Sequence, residues 1–101
     1  MTALPHDILA AKTTLHRWST SIKLGVAKRV PVDFWLLARL LHSYDGIEPS
    51  TLAVQCTDHA GWIALLEPKQ LARVIYEVSP AKTQPGLADW LDEEAPGWRD
   101  E

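Results

Sequence analysis

The sequence predicts a small, mainly α single domain of three to four helices, with an α+β alternative in which residues 51–66 form a β-hairpin. Three observations lead there. Apolar residues recur at spacings of three and four over long stretches, the period of a helix face. Proline and glycine punctuate those stretches where helices start and stop. The chain has 101 residues, 47% of them hydrophobic and 23% charged, which suits one core and leaves no room for two.

From Pro5 to about Lys28, the residues Ile8, Ala11, Leu15, Trp18, Ile22 and Gly25 mark one face of an amphipathic helix. Pro5 fits its first turn, Asp7 the positive end of its dipole, and Lys28 with Arg29 the negative end. Val30-Pro31 then breaks the chain, because the residue before proline avoids the helical region. Pro31-Val32-Asp33 opens a second helix to about Tyr44, closed by Asp45-Gly46. Phe34, Trp35, Leu36, Leu37, Leu40 and Leu41 cover more than one of its faces, which places it centrally. Between Thr51 and Leu66, alternation of Leu52, Val54 and Cys56, then Trp62, Ala64 and Leu66, around Asp58-His59-Ala60-Gly61 reads as a hairpin. A helix capped by Ser50 competes, weakened by Gly61 and the β-branched residues. Pro68 opens a helix whose Leu71, Val74, Ile75 and Val78 form its core stripe, and Ser79-Pro80 stops it.

The organisation expected is a helical core domain over residues 1–80, followed by a linker at Ala81–Gly86 and a short acidic helix from Gly86 to Ala95. Charge follows that division although the net is only −3. In residues 1–30, Lys12, Arg17, Lys23, Lys28 and Arg29 face only Asp7, a balance of +4, whereas residues 81–101 carry −4.

Candidate chemistry is sparse. With a single cysteine, Cys56, no intramolecular disulfide forms and no four-ligand zinc motif is complete, which suits a reducing, cytoplasmic setting. Cys56-Thr57-Asp58-His59 has a chelating gap but no second ligand pair. No nucleophile elbow, phosphate-cradling glycine loop or His-Glu-x-x-His helix occurs. The expectation is therefore a protein without catalytic residues, cofactor or metal. The longest apolar stretch, near Phe34–Leu41, is too short to span a membrane.

Two surfaces remain. Lys12, His16, Ser19 and Lys23 form a polar stripe on the first helix, and Lys12, His16, Arg17, Lys23, Lys28 and Arg29 are the candidate nucleic-acid contacts. Their simpler reading is a solvated helix face. Trp90 and Leu91, ringed by Asp92, Glu93 and Glu94, together with Trp98 and with Trp18 of the first helix, are the candidate protein contacts. The −4 segment lying against the +4 helix is the intramolecular alternative. The run Gly86-Leu-Ala-Asp-Trp-Leu-Asp-Glu-Glu-Ala95 also resembles a stretch in a family of small acidic phage proteins that inhibit CRISPR surveillance complexes by imitating DNA. That resemblance covers ten residues and implies, as a third reading, a phage or mobile-element inhibitor acting through the acidic segment. The basic first helix departs from that family, and no residue role is carried over.

The leading reading is a small non-enzymatic module that binds another protein, as an adaptor, inhibitor or regulatory subunit, or pairs with itself as a homodimer through its amphipathic helices. The five tryptophans then divide: Trp35 and Trp62 belong to the core, while Trp18, Trp90 and Trp98 are the accessible set that a partner covers.

Overall fold

A computed structural model describes residues 4–44, 53–57 and 61–99, with only the backbone described for 53–57. In chain order the elements are α1 (Pro5–Lys23), β1 (Val30–Asp33), α2 (Phe34–Leu41), β2 (Ala53–Thr57), β3 (Gly61–Leu66), α3 (Pro68–Val78), a 3₁₀ turn (Ala81–Thr83) and α4 (Gln84–Glu94). The mainly α class holds, with the hairpin present and widened by a third strand. The sheet is antiparallel in the order β1-β3-β2.

α1 is shorter than its sequence suggests. Gly25 lies not on an apolar face but in the left-handed region at φ +74°. The N–H of Val26 reaches back to the Ser21 carbonyl at 3.0 Å and that of Gly25 to Ile22. This Schellman-type closure stops the helix at Lys23, leaving Lys28 and Arg29 in the loop beyond it.

The second correction concerns Pro31-Val32-Asp33, expected as the opening of a helix, together with Val30 before it. These residues form β1, paired with β3 from Val30↔Leu66 to Asp33↔Ile63. The restriction that proline places on Val30 favours extended backbone as much as it disfavours a helix. Pro31 lacks an N–H, so the strand lies at the sheet edge, where proline is tolerated. Val30 and Val32 are fully or almost fully buried, an alternation of strand type. α2 then starts at Phe34, with Asp33 as its cap: Oδ1 accepts from the backbone N–H of Trp35 at 2.8 Å and of Leu36 at 3.5 Å. The expected closing Asp45-Gly46 and the turn residues 58–60 lie outside the described residues.

α3 forms as read. Gln70 Oε1 accepts from the Glu67 N–H at 2.9 Å at its start, and Ser79 Oγ donates to the Ile75 carbonyl at its end. The third correction lies beyond it, because Ala81–Gly86 is no open linker. Three of its residues make the 3₁₀ turn, and Gln84-Pro85-Gly86 is already the first turn of α4. Proline suits that position, since its missing N–H has no helical partner there.

One hydrophobic cluster takes residues from every element whose side chains are described except the 3₁₀ turn. It includes Ala11 and Leu15 of α1, Val30 and Val32 of β1, Leu37 and Leu40 of α2, Ala64 and Leu66 of β3, and Leu71, Val74 and Ile75 of α3. Leu87 and Leu91 of α4 and Trp98 beyond it join the same cluster. The C-terminal segment therefore packs on the same core as the rest of the chain. Among the described residues no helix is long and apolar enough to cross a membrane.

Leu15 is fully buried at the centre of this cluster. Leu15→Ala is expected to lower the unfolding free energy by about 2–5 kcal/mol, seen as a lower urea midpoint at unchanged slope. Lys23→Ala, on the exposed end of the same helix, is expected to change it by less than about 0.5 kcal/mol.

Candidate interaction surfaces

α1 and α4 meet along a seam that occupies much of both candidate surfaces. Lys12 Nζ stands 5.0 Å from the centre of the Trp90 ring, and one turn on His16 Nδ1 lies 3.1 Å from Glu94 Oε2. The two pairs advance together by four residues, so the helices run parallel. Glu94 is buried while the His16 side chain is 70% exposed, which makes this a screened pair that fixes register more than it adds stability. A second buried carboxylate, Asp7, accepts from Arg39 Nε at 3.2 Å through both oxygens and ties α1 to α2.

The predicted basic stripe is thus engaged in part inside the molecule. Ser19 is buried and its hydroxyl donates to the His16 carbonyl. Arg29 donates to the Leu65 carbonyl at 3.4 Å. Arg17, Lys23 and Lys28 remain exposed, with no charged partner among the described residues.

The predicted protein contacts are engaged in the same way. Leu91 is fully buried and Trp98 is 3% exposed, while Trp18 and Trp90 pack half-buried against the core. Glu93 is exposed. Trp98, expected in an open tail, is instead enclosed: its ring lies 5.2 Å from that of Tyr76, and the guanidinium carbons of Arg73 and Arg99 stand 5.4 and 5.2 Å from its centre. Its indole N–H donates to Asp92 Oδ1 at 2.9 Å. Arg99 donates to both oxygens of Asp92, at 2.9 and 3.0 Å, a bidentate fork. These hydrogen bonds, Arg99 first, hold the Asp92 carboxyl below its ordinary value of 3.8 against a smaller opposing effect of desolvation.

The tryptophans expected in the core are the open ones. Trp35 is 59% exposed and Trp62 is 46% exposed. Spacing does contain the signal for Trp35: Leu36, Leu37 and Leu40 are the buried face of α2, and Trp35 shares the opposite face with Arg39 and His42. Trp62 shares the core-facing alternation with Ala64 and Leu66, but stands at the start of β3 where the core ends, and no sequence pattern marks that limit. The register Asp33↔Ile63 sets Trp62 beside the point where β1 passes into α2, so both indoles lie at the same end of the sheet.

A second opening lies along the seam. Ile8, Leu9 and Lys12 from α1 face Gly86, Leu87 and Trp90 from α4 across a groove of about 480 Å³. Each wall has three, four and seven spacing once Pro5 and Thr83 are included, so each is a single helix face. Among the described residues no group of three or more His, Cys, Asp or Glu side chains comes together in a way that could hold a metal ion. No protein-family model, curated protein or solved structure matches the chain.

Asp92 gives a pH dependence with a definite sign. A carboxyl whose folded value lies below its unfolded one stabilises the fold above the unfolded value, and that contribution is lost as pH falls through the folded value. The Trp98 indole N–H resonance is therefore expected to hold its position from neutral pH to about 5 and to move only below 3.8. In Asp92→Ala it is expected to be displaced at neutral pH as well.

Proposed function

We propose that the chain is a small non-enzymatic interaction module that binds another protein, as an adaptor, inhibitor or regulatory subunit, through the end of the sheet where Trp35 and Trp62 stand. The carrying observation is the exposure of these two indoles, at 59% and 46%, in a chain that encloses Trp98 almost completely. Tryptophan is among the residues that dominate protein contacts, because it offers a large rigid apolar area at small entropic cost. Phe34, edge-on to Trp35 at 5.3 Å between ring centres, limits the positions that ring can take. Pre-ordering of this kind reduces what association must order.

This placement moves the contact away from the acidic segment, whose Leu91, Asp92, Glu94 and Trp98 already have partners within the molecule. The nucleic-acid alternative keeps the exposed Arg17, Lys23, Lys28 and Arg29. The test is a photo-activatable benzoyl-phenylalanine placed at Trp35 or at Trp62, with the exposed Glu77 of α3 as control, irradiated in the native cell. The expected result is a discrete cross-link to a polypeptide from both tryptophan positions and none from Glu77. A dimer-sized product identifies a second copy of the chain as the partner, and any other mass a different protein. Trp35→Ala is expected to weaken the isolated complex at least about 30-fold, the effect of a residue at the centre of an interface. Equal cross-linking at Glu77, or none at either tryptophan, contradicts the proposal.

A further inference from the structure

The groove between α1 and α4 is built from other residues than the tryptophan pair and has a chemistry of its own. Ile8, Leu9, Leu87 and the Trp90 ring make it apolar, and its volume of about 480 Å³ lies within the roughly 300–1,000 Å³ of small-molecule sites. Its hydroxyls already have acceptors: Ser79 Oγ donates to the Ile75 carbonyl at 2.6 Å, and Thr83 Oγ1 to the Pro80 carbonyl at 2.8 Å. Among the described residues, Lys12 is the one charged side chain lining it. Its ammonium rests on the Trp90 ring and has no carboxylate within ion-pair distance among the described residues.

That combination constrains the occupant. A ligand that fills the groove displaces water from the Lys12 ammonium, and removing a cation from water without a counter-charge is costly. A purely apolar ligand leaves that cost standing, and a cationic one adds repulsion. An apolar ligand bearing an anion meets both demands, since its chain covers Ile8, Leu9 and Leu87 while its charge pairs with Lys12. We propose that the groove binds a single-chain aliphatic carboxylic acid, with the carboxylate at Lys12 Nζ and the chain lying between α1 and α4.

Calorimetric titration with dodecanoate, dodecanol and dodecylammonium, each below its micelle concentration, tests this on the intact chain. Dodecanoate is expected to bind saturably with one-to-one stoichiometry, at least about tenfold more tightly than dodecanol, the smaller end of what a charged hydrogen bond contributes. Dodecylammonium is expected to bind most weakly. Lys12→Gln is expected to remove the advantage of the acid over dodecanol within that variant, and Lys12→Arg to retain it. Gly86→Phe blocks the groove at a position where an added Cβ meets nothing within 4 Å, and is expected to weaken acid and alcohol alike. Far-UV circular dichroism confirms that each variant is folded. Equal affinity for the three ligands, an equal loss for all three in Lys12→Gln, binding that survives Gly86→Phe, or no saturable binding of dodecanoate overturns the proposal.

Discussion

The parallel seam between α1 and α4 is the constraint on which the rest of the molecule depends. α1 is the longest helix and packs against α2, α3, α4 and β1, so whatever docks on its second side completes the core. Lys12 against Trp90 and His16 against Glu94 align the two helices, and that alignment carries Leu87, Leu91 and Trp98 into the hydrophobic cluster. The magnitudes separate the roles. A half-exposed ion pair contributes between zero and about 1 kcal/mol, whereas burying a leucine side chain contributes about 1.5–3 kcal/mol. The Lys12–Trp90 and His16–Glu94 contacts therefore set the register, and apolar burial supplies the stability.

Once that seam forms, the surface chemistry of the molecule changes. The acidic segment, which by composition resembles a tail available for binding, uses Glu94 to hold α1, Asp92 to hold Trp98 and Leu91 to fill the core. Half of the basic stripe is used from the other side. Among the described residues, large apolar side chains then remain exposed at the sheet end, with Trp35 and Trp62, in the loop after α1, with Leu24 and Val26, and at Leu9 beside the groove between α1 and α4. The absence of a side chain at Gly86 is itself part of the reason the groove exists.

Much of the fold is legible in the residues alone, wherever one physical rule dominates. α3 is bounded by prolines and carries a clear apolar stripe, and the hairpin follows from alternation on either side of a turn. The start of α1 follows from Pro5 and Asp7. The misread segments are those where two rules compete. Val30-Pro31-Val32 satisfies both a helix break and an edge strand, and only pairing with Leu66 and Ala64 decides between them. Ala81–Gly86 has linker composition, yet the proline and glycine there also suit a 3₁₀ turn and a helix start. The tryptophans carry the weakest sequence signal, because burial depends on where the core ends. Trp62 has a core-facing position on its strand but stands past that edge, while Trp98 follows Pro96-Gly97 in sequence yet finds Tyr76, Arg73 and Asp92 waiting in space.

Docking of the C-terminal segment on the core encloses Trp98 while Trp35 and Trp62 stay open, and fluorine NMR of the chain labelled with 5-fluorotryptophan reads all five sites at once. With a soluble gadolinium chelate added, the Trp35 and Trp62 resonances should broaden first, at exposures of 59% and 46%, and Trp98, at 3%, last. Broadening of Trp98 as early as that of Trp35 would show that the C-terminal segment does not enclose Trp98 against Tyr76 and Arg73 of α3, and would contradict the packing of that segment on the core.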